Sequence, residues 1–462
     1  MQHTIATTDL VTRLKSTLDG RVTVAGDPDY DELRTLFSGL YDRRPAAIVR
    51  ARDVADVVRA VTFAAKAGVG LAVRSGGHSP AGHSGIEGGV VLDLRALNDI
   101  EIDAANHTAW AGAGATAGAY TAAAGEHDLA TGFGDTGSVG LGGITLAGGA
   151  GFLSRKFGLT IDELLAAEIV TADGQVLLVD AENHPDLFWA IRGGGGNFGV
   201  VTRFQYRLRD VSQFTGGMLV LPATAEVITG FLDAAAAAPD ELTTIMMAMV
   251  APPMPFLPPE VHGQLVVLGL MAYVGPPDDA ERALAPFRAL ATPLADMVQP
   301  SPYSAMFPPD PDDYHPMAAA RSMFIDTVDT ATAETVLAEL RASTAPMSVV
   351  QLRVHGGAIS RVPADATAFA HRHSAMMANV AALYMQPDEA SEREAWVAKV
   401  ADALSPSPGV YTGFLADEGP ERVREAYPGA TWDRLVEVKR RYDPDNVFRY
   451  NHNIAVEEPA AT

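Results

Sequence analysis

Residues 71–94, LAVRSGGHSPAGHSGIEGGVVLDL, form the strand–loop–strand unit from which the rest of the chain can be interpreted. Residues 71–74 are apolar and residues 89–94 are rich in valine and leucine, so both are expected as strands. The intervening loop is punctuated by glycines and holds two histidines, His78 and His83. Glycine admits positive φ and lets a ligand approach the main chain closely. Successive loop N–H groups make an anion-binding concavity. The loop therefore suits a phosphate-bearing ligand, with His78 at its centre in Gly76-Gly77-His78-Ser79.

Upstream, 46–50 (AAIVR) reads as a strand, and 52–67 reads as a helix that Asp53 caps and Gly68 stops. Strand, helix, strand marks an α/β unit. Residues 9–19 read as a short amphipathic helix, with Leu10, Leu14 and Leu18 four apart.

Downstream, 99–103 and 108–112 read as a hairpin, and 116–126 as a helix. A second glycine-rich block follows at 132–151, GFGDTGSVGLGGITLAGGAG. Its glycine content predicts an irregular path laid against a ligand rather than a helix or strand interior. Val139, Leu141, Ile144 and Leu146 call for burial, which argues against a solvated linker. Strands are expected at 163–172, 175–180 and 200–208, with a short helix at 185–191 opened by Pro185. The run Arg192-Gly193-Gly194-Gly195-Gly196-Asn197-Phe198-Gly199 follows a helix and precedes a strand. A doubly wound dinucleotide fingerprint needs the opposite order, so that reading is rejected.

After about residue 210 glycine thins and alanine, proline and methionine rise. Helices at 223–238, 278–291 and 331–343 alternate with strands at 243–251, 263–274, 321–328 and 347–356, a pattern of a sheet with covering helices. A strand at 376–384, a helix over 415–440 and a tail from Tyr442 complete the chain.

The chain has 462 residues, enough for two domains, and a net charge of −23. That acidity argues against a nucleic-acid surface. There is no cysteine, so thiolate chemistry, disulfides and Cys-ligated metals are excluded, which fits a cytoplasmic enzyme. No stretch reaches the roughly 18 apolar residues of a membrane span, and the N-terminus has no signal-peptide pattern. His371 and His373 are two apart and share no helix face, so no metal is expected.

Four motifs together resemble the FAD-linked oxidases of the berberine-bridge-enzyme type, in the vanillyl-alcohol-oxidase (PCMH-type FAD-binding) superfamily. They are Arg74-Ser75-Gly76-Gly77-His78; Val139-Gly140-Leu141-Gly142-Gly143 with Gly148-Gly149-Ala150-Gly151; Leu187 to Thr202, through Val201; and Tyr442-Asp443-Pro444-Asp445-Asn446-Val447-Phe448-Arg449 leading to Asn451. The resemblance implies an α+β fold of two domains. An FAD domain is expected from residues 1–209, completed by 415–462. A substrate domain of antiparallel sheet covered by helices is expected over 210–414, with the flavin between the two. It also implies that His78 bonds covalently to the flavin, that 74–79 (with Ser79) and 136–143 (Thr136, Gly137 onward) wrap the pyrophosphate, that Gly149 and Gly151 belong to the site, and that Asn451 meets the ring. Many relatives carry a second cysteine tether where this chain has Thr136. Double attachment is excluded, leaving a single tether through His78, or none. Val139 stands where relatives of oxidase type keep a small residue, which favours O2 as acceptor.

Oxidising an alcohol or amine needs a hydride acceptor, which flavin supplies, and a base. Tyr411, in Gly409-Val410-Tyr411-Thr412-Gly413-Phe414, resembles the family's tyrosine and is the expected base, provided its pKa is lowered. The Glu or Gln that relatives often carry on the 376–384 strand is missing, with Val380 near its place; Tyr384 is a substitute only if it is not simply packed in the core. Gln351, Arg353 and His355 alternate on one strand face and are expected to point into the substrate cleft. If Met246, Met247 and Met249 line that cleft, the substrate is largely apolar. The expected activity is an oxidase of a small secondary metabolite, sugar or amine. The alternatives are a dehydrogenase using another acceptor and a flavin-binding module without turnover.

Overall fold

The structure, a computed structural model, describes residues 7–18, 21–309 and 314–456. The first helix runs over Thr7–Thr17. Asp19, the last residue expected in it, lies outside the described residues, as do 1–6 and 457–462 at the two ends of the expected FAD domain.

The α/β unit forms around three parallel strands. Val90–Asp93 lies between Ala47–Arg50 and Leu71–Arg74, with Val22–Thr23 antiparallel at one edge. Helix Val54–Ala67 begins where the Asp53 carboxylate accepts the Asp56 N–H (2.8 Å). It ends at Gly68, whose φ of +64° is cheap only for glycine. Its buried face, Val57, Ala60, Val61 and Ala64, recurs at helical spacing. That helix also packs on Leu164–Val170 and Val200–Arg207 of a second, antiparallel sheet. The order there is Ile100–Asp103, Thr108–Gly112, Val200–Arg207, Leu164–Val170, Val176–Asp180. Because Leu71–Arg74 and Val90–Asp93 are parallel neighbours, the loop between them must travel back along the sheet.

The second glycine block departs from expectation. Residues Leu141–Ala147 form an α-helix. Its glycines sit in the first turn, where close neighbours set the residue choice: a Cβ on Gly142 would stand 3.1 Å from Ser75 Cβ and 3.2 Å from the Ala113 carbonyl oxygen. Two buried phenols anchor the block. Tyr120 bonds the Thr131 hydroxyl (2.9 Å) and Tyr206 the Thr145 hydroxyl (2.7 Å). Phe133 meets both rings edge-on, at 4.9 and 5.2 Å. The block is therefore irregular in path but fixed in place.

The chain after residue 213 builds one antiparallel sheet, ordered Ala295–Asp296, Phe214–Pro222, Leu265–Val274, Leu242–Val250, Ser348–Val354, Met376–Tyr384, Met317–Ile325. Helices Ala225–Ala237, Pro277–Arg288, Thr330–Ala342 and Ala390–Ala403 pack on it. Alternation sorts the faces. Val350, Leu352, Val354, Ala378, Val380 and Tyr384 join the helices in one core. Their neighbours Gln351, Arg353 and Asn379 take the opposite face, toward the glycine blocks.

The last stretch rejoins the first half. Val410, Leu415, Leu435, Val438, Phe448 and Ile454 share a core with residues 10–208. The single helix expected over 415–440 is two, Pro420–Ala426 and Ala430–Tyr442. Pro428 offers no N–H and Gly429 turns the chain at φ +54°, so the helical path breaks there. Among the described residues, no helix is long and apolar enough to cross a membrane.

Candidate active site

The two glycine blocks meet backbone against backbone. A Cβ on Gly76 would collide with the Gly140 nitrogen, and one on Gly140 with the Gly76 nitrogen. Ser75 locks the contact: its hydroxyl donates to the Ala113 carbonyl (2.6 Å) and accepts from the Gly142 N–H (3.3 Å). The second block runs along 113–118 through Ala117 N–H to Val139 O (2.9 Å), Gly118 N–H to Gly137 O (2.8 Å) and Leu141 N–H to Ala115 O (2.9 Å).

Beside this seam opens a cavity of about 460 Å³. Its wall draws on both glycine blocks, the 195–201 run, the 411–414 turn and the C-terminal return at 448–452. Of the sequence-predicted cofactor residues, Ser75, Gly76, Gly77, His78, Ser79, Thr136, Val139, Gly140, Gly142, Gly143, Val201 and Asn451 line it. The others lie behind the wall. Arg74 is buried and donates to the carbonyls of Leu33 and Thr35, the latter at 2.7 Å. Burial, helped by the Arg95 charge and only partly opposed by Asp93, pulls its pKa down to about 10. Leu141 is in the core. Gly137 packs on Gly118 and Phe307, Gly149 on Thr160, and Gly151 on Gly134.

His78 is oriented by two segments. Its ring stacks on Phe37 at 4.1 Å, and Nε2 shares a hydrogen bond with Ser138 (3.0 Å). Neither partner was evident from sequence. His83 and His452 meet edge-on at 4.7 Å on the same wall. Burial pushes their pKa values down to about 3 and about 4, so both are neutral.

The C-terminal return is clamped to the 194–197 run. Asn197 Nδ2 donates to Gly194 O (2.9 Å) and His452 O (3.1 Å), and its Oδ1 accepts from the Ile454 N–H (2.9 Å). Lys439 is fully buried; its Nζ reaches Asn197 O (2.8 Å), Phe448 O (3.0 Å) and the Asp443 carboxylate (2.6 Å). Tyr427 donates to Gly193 O (3.0 Å). Asn451 Nδ2 donates to the carbonyls of Gly196 and Phe448, each at 3.1 Å. Two carbonyls fix the amide's orientation and leave its Oδ1 buried with no partner.

Tyr411 lines the cavity, 4% exposed, and its phenol oxygen accepts from the Gly149 N–H (2.9 Å). Burial pushes its pKa up, against the smaller downward pull of that N–H and of Arg353. The lowered pKa required of a base is not what these surroundings produce. Gln351 and His355 do not line the cavity. Gln351 accepts from Arg353 Nη2 (2.9 Å). His355 is buried beside Phe324, and burial pushes its pKa down to about 4. Val380 and Tyr384 face the helices. Sequence reasoning missed Asp135, which does line the cavity, because its partner Arg353 lies 218 residues away.

These residues fit a flavin dinucleotide. A Cβ at Gly143 or Gly196 would meet nothing within 4 Å, so both glycines leave open room on the cavity side. Among the described residues, no lysine or arginine lines the wall, so a diphosphate would be held by backbone N–H groups and by hydroxyls such as Ser79 and Thr136. The orphan Oδ1 of Asn451 is an acceptor waiting for a donor such as a ring N–H.

Comparison with known proteins agrees. Residues 45–180 match the family described as FAD binding domain, and residues 410–455 the one described as berberine and berberine like. The chain is 31% identical over 455 residues to (R)-6-hydroxynicotine oxidase of Paenarthrobacter nicotinovorans, covering 95% of this chain and 97% of that one. The crystal structure of 6-hydroxy-D-nicotine oxidase from Arthrobacter nicotinovorans superposes with a TM-score of 0.85 at 28% identity, covering 95% and 98% of the two chains. A chitooligosaccharide oxidase shares the fold, with a TM-score of 0.85 at 24% identity over 98% and 100%. With its glycine seam, its return clamp and this full-length likeness, the chain belongs to the berberine-bridge-enzyme-like family of FAD-linked oxidoreductases.

Proposed function

We propose that the enzyme is an oxidase: it takes a hydride from an alcohol or amine carbon of a small secondary metabolite or sugar, and O2 is the final acceptor. Bound FAD supplies the hydride acceptor. The observation that carries this reading is His78, held in the cavity by Phe37 on its face and Ser138 at Nε2. An imidazole oriented by two segments inside a cofactor cavity supports a single covalent tether at that residue. Val139 lines the same cavity, and its modest bulk supports access for O2.

At the other end, Tyr411 stays protonated and offers a hydrogen-bond donor to a substrate heteroatom. Gln351 acts through Arg353, and His355 as a buried neutral prop of the sheet. The separate cores support an FAD domain of 1–209 with 415–462 and a substrate domain of 210–414, with Ala368 and Val410 of the latter stretch packing into the FAD-side core. The cysteine-free sequence supports a cytoplasmic location. The nicotine and oligosaccharide activities in the names of relatives supply the first substrate panel. Denaturing intact-mass measurement tests the tether: a gain of one FAD is expected. Hydrogen peroxide release across nicotine-like amines and chitooligosaccharides tests the acceptor and substrate class. Turnover only with an added dye, under air, would overturn the oxidase reading.

A further inference from the structure

The cavity is almost without charge. Among its described lining residues, Asp135 is the only aspartate, glutamate, lysine or arginine. Its carboxylate is held from behind. Arg353 Nη2 donates to Oδ2 at 2.5 Å. The guanidinium is itself fixed by Gln351 Oε1 (2.9 Å), by the Ala150 carbonyl (3.3 Å) and by the Phe414 ring, 5.1 Å away. The Arg353 side chain is 6% exposed and that of Asp135 19%. The cation is therefore sealed behind the wall, and the carboxylate is the end of the pair that reaches the cavity. Its second oxygen, Oδ1, has only a long contact from the Thr136 hydroxyl (3.4 Å), at the weak limit of a hydrogen bond. Arg353 and Tyr411 both seat on the 148–151 turn, through Ala150 O and Gly149 N.

We propose that Asp135 accepts the substrate's O–H or N–H proton, with Arg353 as its positioning residue. The proposal rests on the oxidase reading above and names the group that completes it. Bound FAD would supply the acceptor for the hydrogen and electron pair of the substrate C–H bond as that bond breaks. The O–H or N–H bond breaks with its proton going to Asp135, and its electron pair forms the second bond of a C=O or C=N product. O2 would then take the two electrons together with the hydrogen from the C–H bond and the proton held at Asp135, leaving as hydrogen peroxide. Of the other titratable groups on the wall, His78 is already assigned to the cofactor tether, and four more are poorly suited to the role. Tyr411 and Tyr427 are pushed upward by burial, and His83 and His452 are pushed far down. Tyr303, against Asp135, is pushed up by burial and by that carboxylate. The chemistry selects alcohols and amines, an amine bound as its cation included, and disfavours substrates whose own carboxylate would face Asp135.

The test needs no known substrate. Flavin difference spectra of the native holoenzyme are titrated with piperidine, cyclohexanol and cyclohexanecarboxylate, three probes of one size. The expected result is piperidine binding at least about tenfold tighter than the carboxylate, the scale of a charge-assisted hydrogen bond, with cyclohexanol between them. In D135N the ratio should fall below about threefold. D135N strands a buried guanidinium, so D135N/R353Q, which removes both charges, is measured alongside and should show the same loss. Equal affinities in the native enzyme, no saturable response to piperidine, or a preference retained in either variant overturns the assignment to Asp135. A protein that takes up no flavin when FAD is supplied overturns the oxidase reading as well, so the two failures are told apart.

Discussion

Replacing Lys439 with methionine should loosen the FAD side of the molecule more than any other single change at the C-terminal return. The ammonium is completely buried and makes three hydrogen bonds, two to carbonyls and one to an equally buried Asp443. Burial alone would pull the ammonium's pKa down; Asp443 opposes that. Methionine fills the volume but leaves the carboxylate without its cation. Breaking a buried pair on one side costs about 3–5 kcal/mol. The Val447 N–H (2.7 Å) and Phe448 N–H (2.9 Å) still serve Asp443, so we take about 4 kcal/mol within that range. Unfolding entropy is about 2.1 cal/mol/K per residue, so a cooperative unit of roughly 240 residues loses about 8 °C, and the whole chain unfolding at once about 4 °C. Differential scanning fluorimetry with and without added FAD reads this directly. The K439M/D443N double variant carries no unpaired ion and should recover part of the loss, because coupled sites are not additive. A K439M melting point within 2 °C of the parent, or a double variant as damaged as the sum of the singles, would refute the account of the clamp.

His78→Ala should keep the fold and bind FAD reversibly; an acid-stable flavin in that variant would move the tether elsewhere. Tyr411→Phe should slow flavin reduction by about three- to tenfold, the worth of one neutral hydrogen bond, whereas a loss of 10³-fold in stopped-flow reduction would make the phenol itself the base. Stability should fall in mild acid. His83, His355 and His452, at about 3, 4 and 4 when folded, stay neutral while the unfolded chain takes up protons below pH 6.5. Their contribution is therefore intact above pH 6.5 and is lost as pH falls toward 4. It amounts to about 4 kcal/mol for the three between pH 7 and 5.5. A urea midpoint unchanged over that interval would show these imidazoles to be hydrated.

Much of the fold was legible because each element carried its own local signal. Asp53 and Gly68 bracket a helix, and alternation in 348–354 separates the helix-facing valines from Gln351 and Arg353. The glycine blocks, read from sequence as irregular loops, do line the cavity, yet their composition hid the helix at Leu141–Ala147, whose glycines are set by the approach of Ser75 and Ala113. Roles that depend on surroundings were not legible. Burial decides that Tyr411 holds its proton, and Asp135 acquires its place only through a guanidinium from a strand of the other sheet.

The shared core of residues 10–208 and 410–454 has a consequence for the order in which the molecule can be made. The ribosome finishes the first strands and both glycine loops, then spends about 200 residues on the intervening sheet before the closing segment emerges. At about 5–20 residues per second, the nascent core waits some 10–40 s with one wall missing. If the cradle holds its cofactor as proposed, it does so only once Lys439 and Asn451 have arrived, and flavin capture would then certify that translation reached the end of the clamp. A prematurely terminated copy would stay colourless, exposing the apolar seam that Leu435, Phe448 and Ile454 cover, and would present itself to chaperones and proteases as unfinished.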